Sequence, residues 1–507
     1  MISTSDSYAA FGRRLEGIFF QKQQLPLGFL GYSQSDILFR LTQCCASRVF
    51  EFTQVAAEIY RKTGSLPADD VQVIFGGIYI NSDGSIRLLP KKLLKLFIRF
   101  FTQWIYILVK ILTSLRMSAV HRQETLLYGV GSHDLIVEGS DERFLNFCLA
   151  GPILPLATAS HIFIQATHGI DSMRPDYVKF CRNPLLMAMS HSGLSLRVWT
   201  YALAQHLLAM GSYFRALYYC PAMLLLGDDI AIHATAATLN RERLIRDVIF
   251  TNSNYDSQPL WFWALPNRTY SSHIVWYSQN HFPISYEDES QVVPFPNLRY
   301  IRADVQWVWS EGFKDFLSGL CPKCSYKVVG PIVWHLRTSL IQTRGKTKKI
   351  TLFDVTPITE EAEKKFGLLR NLFSEKNVSM FIQDTVDVAE ALSQETGIEI
   401  EVVLKHKRLH TNIHSSEYIQ KISYLVDAGA IKLIEPSYNL YDLILDSDVV
   451  IVFPYSSAIY LSKKLGKEAF WYDPTTTLEW KHGILEFPLV KGKNSLAKQI
   501  RKVMVND

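Results

Sequence analysis

Leu443–Pro474 reads LILDSDVVIVFPYSSAIYLSKKLGKEAFWYDP. Its centre, Val449–Phe453, is an unbroken apolar run too short for a helix, as expected of a strand covered on both faces of a parallel sheet. Leu440–Leu445 has room for a short helix before it. Ala458–Leu465 has room for one after it, closed by Gly466, and Glu468–Tyr472 reads as the next strand. Working outward, Lys349–Val355, Glu399–Leu404 and Ile431–Ile434 read as strands, and Asp384–Thr396 and Ser416–Ala428 as helices. Strands alternating with helices give βαβ units joined by right-handed crossovers. A Rossmann-like domain is expected from about Val328, with Val328–Trp334 as its opening strand. No G-x-G-x-x-G is present, so the dinucleotide fingerprint is excluded.

In an open parallel sheet, ligands bind beyond the carboxyl ends of the strands. That rule gathers Asp354 and Thr356, Lys405-His406-Lys407-Arg408, Glu435-Pro436 and Tyr455-Ser456-Ser457 onto one rim. Ser456 and Ser457 stand where a strand turns into a helix; their hydroxyls and the free amides there suit a phosphate, and suit plain N-capping equally. Three cations at one strand end repel one another unless an anion is present, and arginine matches phosphate bidentately. The alternative is a solvated charge run. Glu435 is suited to accept hydrogen bonds from a ribose or base, or to be a turn acid before proline.

Upstream, the apolar run Leu135-Ile136-Val137 leads into Glu138, Asp141 and Glu142. A carboxylate at a strand's end, facing a donor across a cleft, serves as the base for a sugar hydroxyl or acts at an anomeric centre; the same acids also complement a helix dipole. Glu311 is a weaker case of the same kind. His161–Ile164, His273–Tyr277 and Val305–Trp309 read as strands, Arg197–Met210 as a helix. Gln43–Thr63 reads as a helix, and Val71–Leu89 as two strands around the turn Asn81–Gly84.

Residues 91–116, KKLLKLFIRFFTQWIYILVKILTSLR, set Lys92, Lys95, Arg99, Gln103 and Lys110 near helical spacing beside a broad apolar face. The longest uncharged run, Phe100–Val109, falls short of the about 20 apolar residues that a spanning helix needs. An in-plane interfacial helix fits; a core helix with snorkelling lysines is the alternative. The seven cysteines are odd in number and irregular in spacing, which excludes a disulfide framework, and no secretory signal opens the chain; a reducing, cytoplasmic location is expected. Cys321-x-x-Cys324 lacks a second pair for zinc and reads as a turn. Asp446-Ser447-Asp448 precedes a strand instead of ending one, so no metal site is expected there. Hydrophobic residues at 48% and charged residues at 20% exclude disorder. A net charge of +5 is too mild for nucleic acid and suits anionic small molecules or an anionic membrane surface.

The Leu443–Pro474 run resembles the donor-domain signature of GT-B glycosyltransferases. Lys405-His406-Lys407-Arg408 with Pro454-Tyr455-Ser456-Ser457 is similar to the bacterial polysaccharide-biosynthesis family named for a Pro-Phe-Thr-Ser motif. The serine pair also resembles the nucleotide motif of bacterial sialyltransferases and Kdo transferases, whose His-Pro motif is replaced here by His406-Lys407 and whose acidic-glycine motif is loosely echoed by Glu138-Gly139-Ser140-Asp141. The resemblance implies an α/β, GT-B architecture, with two Rossmann-like domains facing across a cleft. The expected division is an N-terminal region with the amphipathic helix (1–120), an acceptor domain (121–327) and a nucleotide-sugar donor domain (328–507). It implies a cytoplasmic transferase peripheral to the inner membrane, building capsule or O-antigen. The donor would be a nucleotide sugar, with a CMP-sugar favoured, and the acceptor a glycan or lipid-linked glycan. Neither metal nor cofactor is implied. Two further classes remain open: a sugar-nucleotide epimerase or polyol-phosphate transferase of the same fold, and a non-catalytic subunit of capsule assembly.

Overall fold

The computed structural model describes residues 29–44, 73–75, 78–80, 86–115, 123–129, 161–165, 178–251, 258–276, 278–279, 285–287, 298, 300–331, 347–357, 372–406, 415–435, 438, 440–481 and 485–505. A small antiparallel sheet opens it, with strands β1 (Val73–Phe75), β2 (Ile78–Ile80) and β3 (Ile86–Leu88), three strands where the sequence suggested two. Helical residues at 34–44 precede it, earlier than the expected start at Gln43.

The first large sheet holds β4 (Glu124–Tyr128), β5 (His161–Gln165), β6 (Val178–Cys181), β7 (Ile245–Thr251), β8 (Ser271–Val275), β9 (Val305–Val308) and β10 (Ser325–Val328). Their order is β10-β9-β8-β7-β4-β5-β6, and every pair is parallel. The second sheet holds β11 (Lys348–Phe353), β12 (Ile400–Lys405), β13 (Lys432–Ile434), β14 (Val449–Val452), β15 (Glu468–Asp473) and β16 (Leu489–Lys491). Its order is β13-β12-β11-β14-β15-β16, again all parallel. Written from its first strand, that is the 3-2-1-4-5-6 order of a Rossmann domain, with the switch point between β11 and β14. The fold is α/β with two Rossmann-like sheets, as the GT-B expectation required.

Val328 closes β10 of the first sheet, so the expected strand Val328–Trp334 is corrected: the second sheet opens at Lys348. The first sheet likewise begins at Glu124, upstream of the run Leu135–Val137, which lies outside the described residues.

Helix α1 (Pro90–Thr113) packs against α2 (Pro184–Ser192), α3 (Leu196–Tyr219) and α4 (Gly227–Arg241), so it belongs to the first domain's helical layer and is not a separate segment. It buries Phe100, Ile107 and Ile111, and Phe100 meets Tyr213 with ring centroids 4.3 Å apart. The helices come close because residue 227 is glycine: a Cβ there would stand 3.0 Å from Tyr213 Oη and 3.3 Å from Phe100 Cβ. By length and composition α1 is apolar enough to cross a membrane, which counting the uncharged run did not reveal; the stretch Pro221–Arg241 is too, but it is mostly buried in the protein.

Two histidines in this layer are held neutral. His206 stacks on Trp104 at 4.6 Å, and His233 lies 3.0 Å from the Tyr32 hydroxyl. Burial lowers each imidazole to about 4. An unfolded histidine takes up its proton near pH 6.5. The folded state refuses that proton, so the stabilisation is complete above pH 6.5 and is lost as pH falls toward 4. For His233 the loss reaches about 3 kcal/mol by linkage at about 1.4 kcal/mol per pH unit. Melting temperature measured from pH 7.5 down to pH 4.5 should therefore fall, and His233→Asn should flatten that slope; equal slopes would show that His233 does not carry it.

Candidate functional site

The register fixes what stands together at the second sheet's carboxyl edge. Phe353 at the end of β11 pairs with Lys405 of β12 on one side and Val452 of β14 on the other, and Lys405 pairs with Ile434 of β13. The next residues along each strand, Glu435, His406, Asp354 and Phe453, thus form the first level beyond the sheet. With strands about 4.8 Å apart, the ends of β12 and β14 lie about 10 Å from each other across β11. A ligand bridging the switch point touches both.

Asp354 is buried and accepts a hydrogen bond from the Tyr418 hydroxyl of α7 (Ser416–Asp427, numbered after α5, Glu311–Leu320, and α6, Glu375–Thr396). Burial, reinforced by the Asp354 charge, pushes the Tyr418 phenol well up, so it stays a donor. His406 Nδ1 lies 4.0 Å from the same carboxylate. Lys405 is only 8% exposed, and its ammonium donates to the Glu435 carbonyl oxygen at 3.5 Å. Thr356 Oγ1 is buried with no hydrogen-bond partner in the described structure. Glu435 itself is exposed.

On the β14 side, Tyr455 does not face the rim as the motif reading expected of an aromatic ligand residue. It is buried edge-on between Trp471 and Trp480, at 5.0 and 5.4 Å, and burial raises its phenol. It packs beside the turn that carries the serines. The Ser456 carbonyl accepts from Trp471 Nε1 at 3.5 Å. Ser457 begins helix α9 (Ala458–Lys464, after α8, Leu440–Leu445) without a side-chain cap, so its hydroxyl does not serve the helix amides as plain N-capping would.

Lys407, Arg408, Pro436, Glu138, Asp141 and Glu142 lie outside the described residues. Glu311 starts α5, is exposed and pairs with Lys314 at 2.8 Å, where its charge complements the helix start. Cys321 and Cys324 are buried at a turn, and burial pushes the Cys321 thiol up to about 12. Asp446 and Asp448 are bound to Lys349 and to the Lys348 side chain and Lys349 amide, at the amino end of the sheet.

The two lobes meet beside this rim. The Gly312 amide, at the amino end of α5, donates to Glu486 Oε1 at 2.9 Å, favourable for a carboxylate facing a helix start. Lys481 Nζ donates to the Tyr286 carbonyl at 2.9 Å, and Lys491 pairs with Glu287 at 2.5 Å. Trp309 meets Tyr460 edge-on at 6.1 Å. Sequence reading missed this seam, because nothing local in residues 477–491 announces a partner some 200 positions away.

Several solved structures are similar to this chain at low identity. An α,α-trehalose-phosphate synthase (UDP-forming) from Burkholderia vietnamiensis is 11% identical, with 76% of this chain and 92% of that chain covered and a TM-score of 0.39. A wall teichoic acid polymerase is 9% identical, with 82% and 89% covered and a TM-score of 0.37. An E. coli structure with UDP-2-fluoro glucose is 12% identical, with 76% and 92% covered and a TM-score of 0.38. No curated protein matches the sequence. Residues 209–496, from the third helix through the whole second sheet and both sides of its switch point, match the family model of polysaccharide biosynthesis PFTS motif proteins, and the chain belongs to that family.

Proposed function

We propose that the protein is a Leloir-type glycosyltransferase, moving a sugar from a nucleotide donor to a surface-glycan acceptor in capsule or O-antigen assembly. The single observation behind this reading is the grouping at the β11–β14 switch point: a buried lysine and histidine end β12, and a serine turn follows β14, with one strand between them. Lys405, Lys407, Arg408, Ser456 and Ser457 hold the donor phosphate and stabilise the charge that develops as the nucleotide leaves, in place of a metal ion. Asp354, fixed by Tyr418, supplies negative charge 4.0 Å from His406 Nδ1. Glu138 or Asp141 acts on the acceptor hydroxyl or the anomeric carbon from the opposite lobe. A CMP-activated acidic sugar, a nonulosonic acid or Kdo, is the donor class favoured by the serine pair.

In the same proposal the enzyme works at the cytoplasmic face of the membrane, held to its surface through helix α1. Leu94, Ile98, Ile105 and Val109 are each about half exposed on it, and Leu207 and Leu208 of α3 are exposed as well. Lys91 and Lys95 near its start suit anionic headgroups.

A thermal-shift panel of CMP, CDP, UDP and GDP, followed by transfer assays with the matching sugar nucleotides, tests the reading. One nucleotide should raise the melting temperature, since a ligand at 100 times its dissociation constant adds about 2.7 kcal/mol. The corresponding sugar should then appear on a glycan acceptor. If sugar is interconverted without transfer, the epimerase reading replaces this one; if no nucleotide binds, the non-catalytic reading does.

A further inference from the structure

A second polar cluster lies at the opposite, amino-terminal edge of the first sheet. Glu124 and His161 are the first residues of β4 and β5 and are direct partners in the parallel register, which puts their side chains on one face. α2 packs over those two strands and brings His191, in its last turn, to the same point. Glu124 Oε2 lies 3.4 Å from His161 Nδ1, and Glu124 Oε1 lies 3.4 Å from His191 Nδ1. The three donor atoms fall within 4.8 Å of one another. We propose that Glu124, His161 and His191 bind a zinc ion that fastens α2 to the amino edge of the first sheet.

The distances favour a metal over a simple ion pair. A charge-assisted hydrogen bond between imidazolium and carboxylate closes to about 2.7–2.9 Å. Two donors bound to one tetrahedral zinc at about 2.0–2.1 Å stand about 3.3 Å apart, close to each of the two carboxylate–imidazole distances here, and all three donor atoms lie within 4.8 Å of one another, so a small closing movement completes the set. The donor set is right for zinc, because neutral imidazole nitrogens and one carboxylate are its common ligands, and three protein donors leave a fourth position for water. Burial adds to the case: the Glu124 side chain is fully buried and that of His161 is 11% exposed, so a charge placed here needs strong compensation. The fully buried Phe163, its ring centroid 5.6 Å from that of His191, supplies an apolar wall on one side of the site. The site lies at the far edge from the strand ends where a donor would bind, so it holds or fails independently of the proposed transfer.

The test uses the full-length protein purified without a metal-affinity step, stripped with chelator, and titrated with Zn²⁺. The wild type should retain about one zinc per chain after dialysis and melt at a higher temperature than the stripped protein. Glu124→Gln and His191→Ala should lose both the retained zinc and the rise in melting temperature. The His191 side chain is 26% exposed, so His191→Ala keeps the comparison available should the buried Glu124→Gln variant fail to fold. Co²⁺ in place of zinc should give intense visible bands in the wild type and not in His191→Ala. Wild type that retains no more zinc than His191→Ala, or that melts at the same temperature with and without zinc, would overturn the proposal and leave an imidazole–carboxylate pair.

Discussion

Lys405→Ala should lower turnover of glycosyl transfer by about 10²- to 10³-fold, the loss seen when one preorganised donor to a developing negative charge is removed. Lys405 ends β12 one strand from the switch point, with its stem buried and its ammonium held at the Glu435 carbonyl. A cation that deep is already desolvated, so its attraction to a phosphate is far stronger than in water. The expected kinetic signature is an equal fall in kcat and kcat/KM, which marks an interaction made mainly in the transition state. Arg408→Ala and Ser457→Ala should fall in the same range. Steady-state assays with the donor found in the nucleotide panel check this. A folded Lys405→Ala enzyme with near-wild-type turnover would assign the lysine to packing alone.

The second large effect concerns stability. Arg40, in the helical stretch 34–44, pairs through Nε with Asp229 of α4 at 2.7 Å, with side chains 7% and 5% exposed. Asp229 Oδ2 also accepts from the Leu260 amide at 3.4 Å, and Gln43 of the same stretch donates to the Tyr300 carbonyl at 2.5 Å. Asp229→Ala removes a buried carboxylate that holds the Arg40 guanidinium and accepts from the Leu260 amide, so it should destabilise the first domain by about 3–5 kcal/mol. Replacing both partners with apolar residues of similar size should recover much of that loss. Urea unfolding followed by tryptophan fluorescence distinguishes the two variants. Equal stability of Asp229→Ala and wild type would mean the pair is solvated in solution.

The second sheet was legible because its strands are continuous apolar runs bounded by polar turns. The observed β14 starts with the apolar run Val449–Phe453 and ends one residue short of it, and α6 ends at Gly397 in the left-handed conformation that glycine favours. The first domain was less legible. The sequence reading did not find β7, and α4 is buried nearly all round, so its sequence carries no amphipathic period. At the site, the switch-point rule needed only strand ends, so Asp354, Lys405, His406 and Ser456 could be placed on one rim from sequence. The burial of Tyr455 among Trp471 and Trp480 could not, since those partners come from another strand and a loop. Nor could the cluster of Glu124, His161 and His191, whose spacings match no local ligand motif; only the β4–β5 register and the packing of α2 unite them.

The proposed phosphate site at the second sheet's carboxyl edge is tested most directly by a crystal structure with the tightest-binding nucleotide of the panel. The account predicts its phosphate over the end of β11, within hydrogen-bonding reach of Lys405 on one side and of the Ser456-Ser457 turn on the other. A nucleotide ordered in the first sheet, or touching neither of those groups, would contradict it.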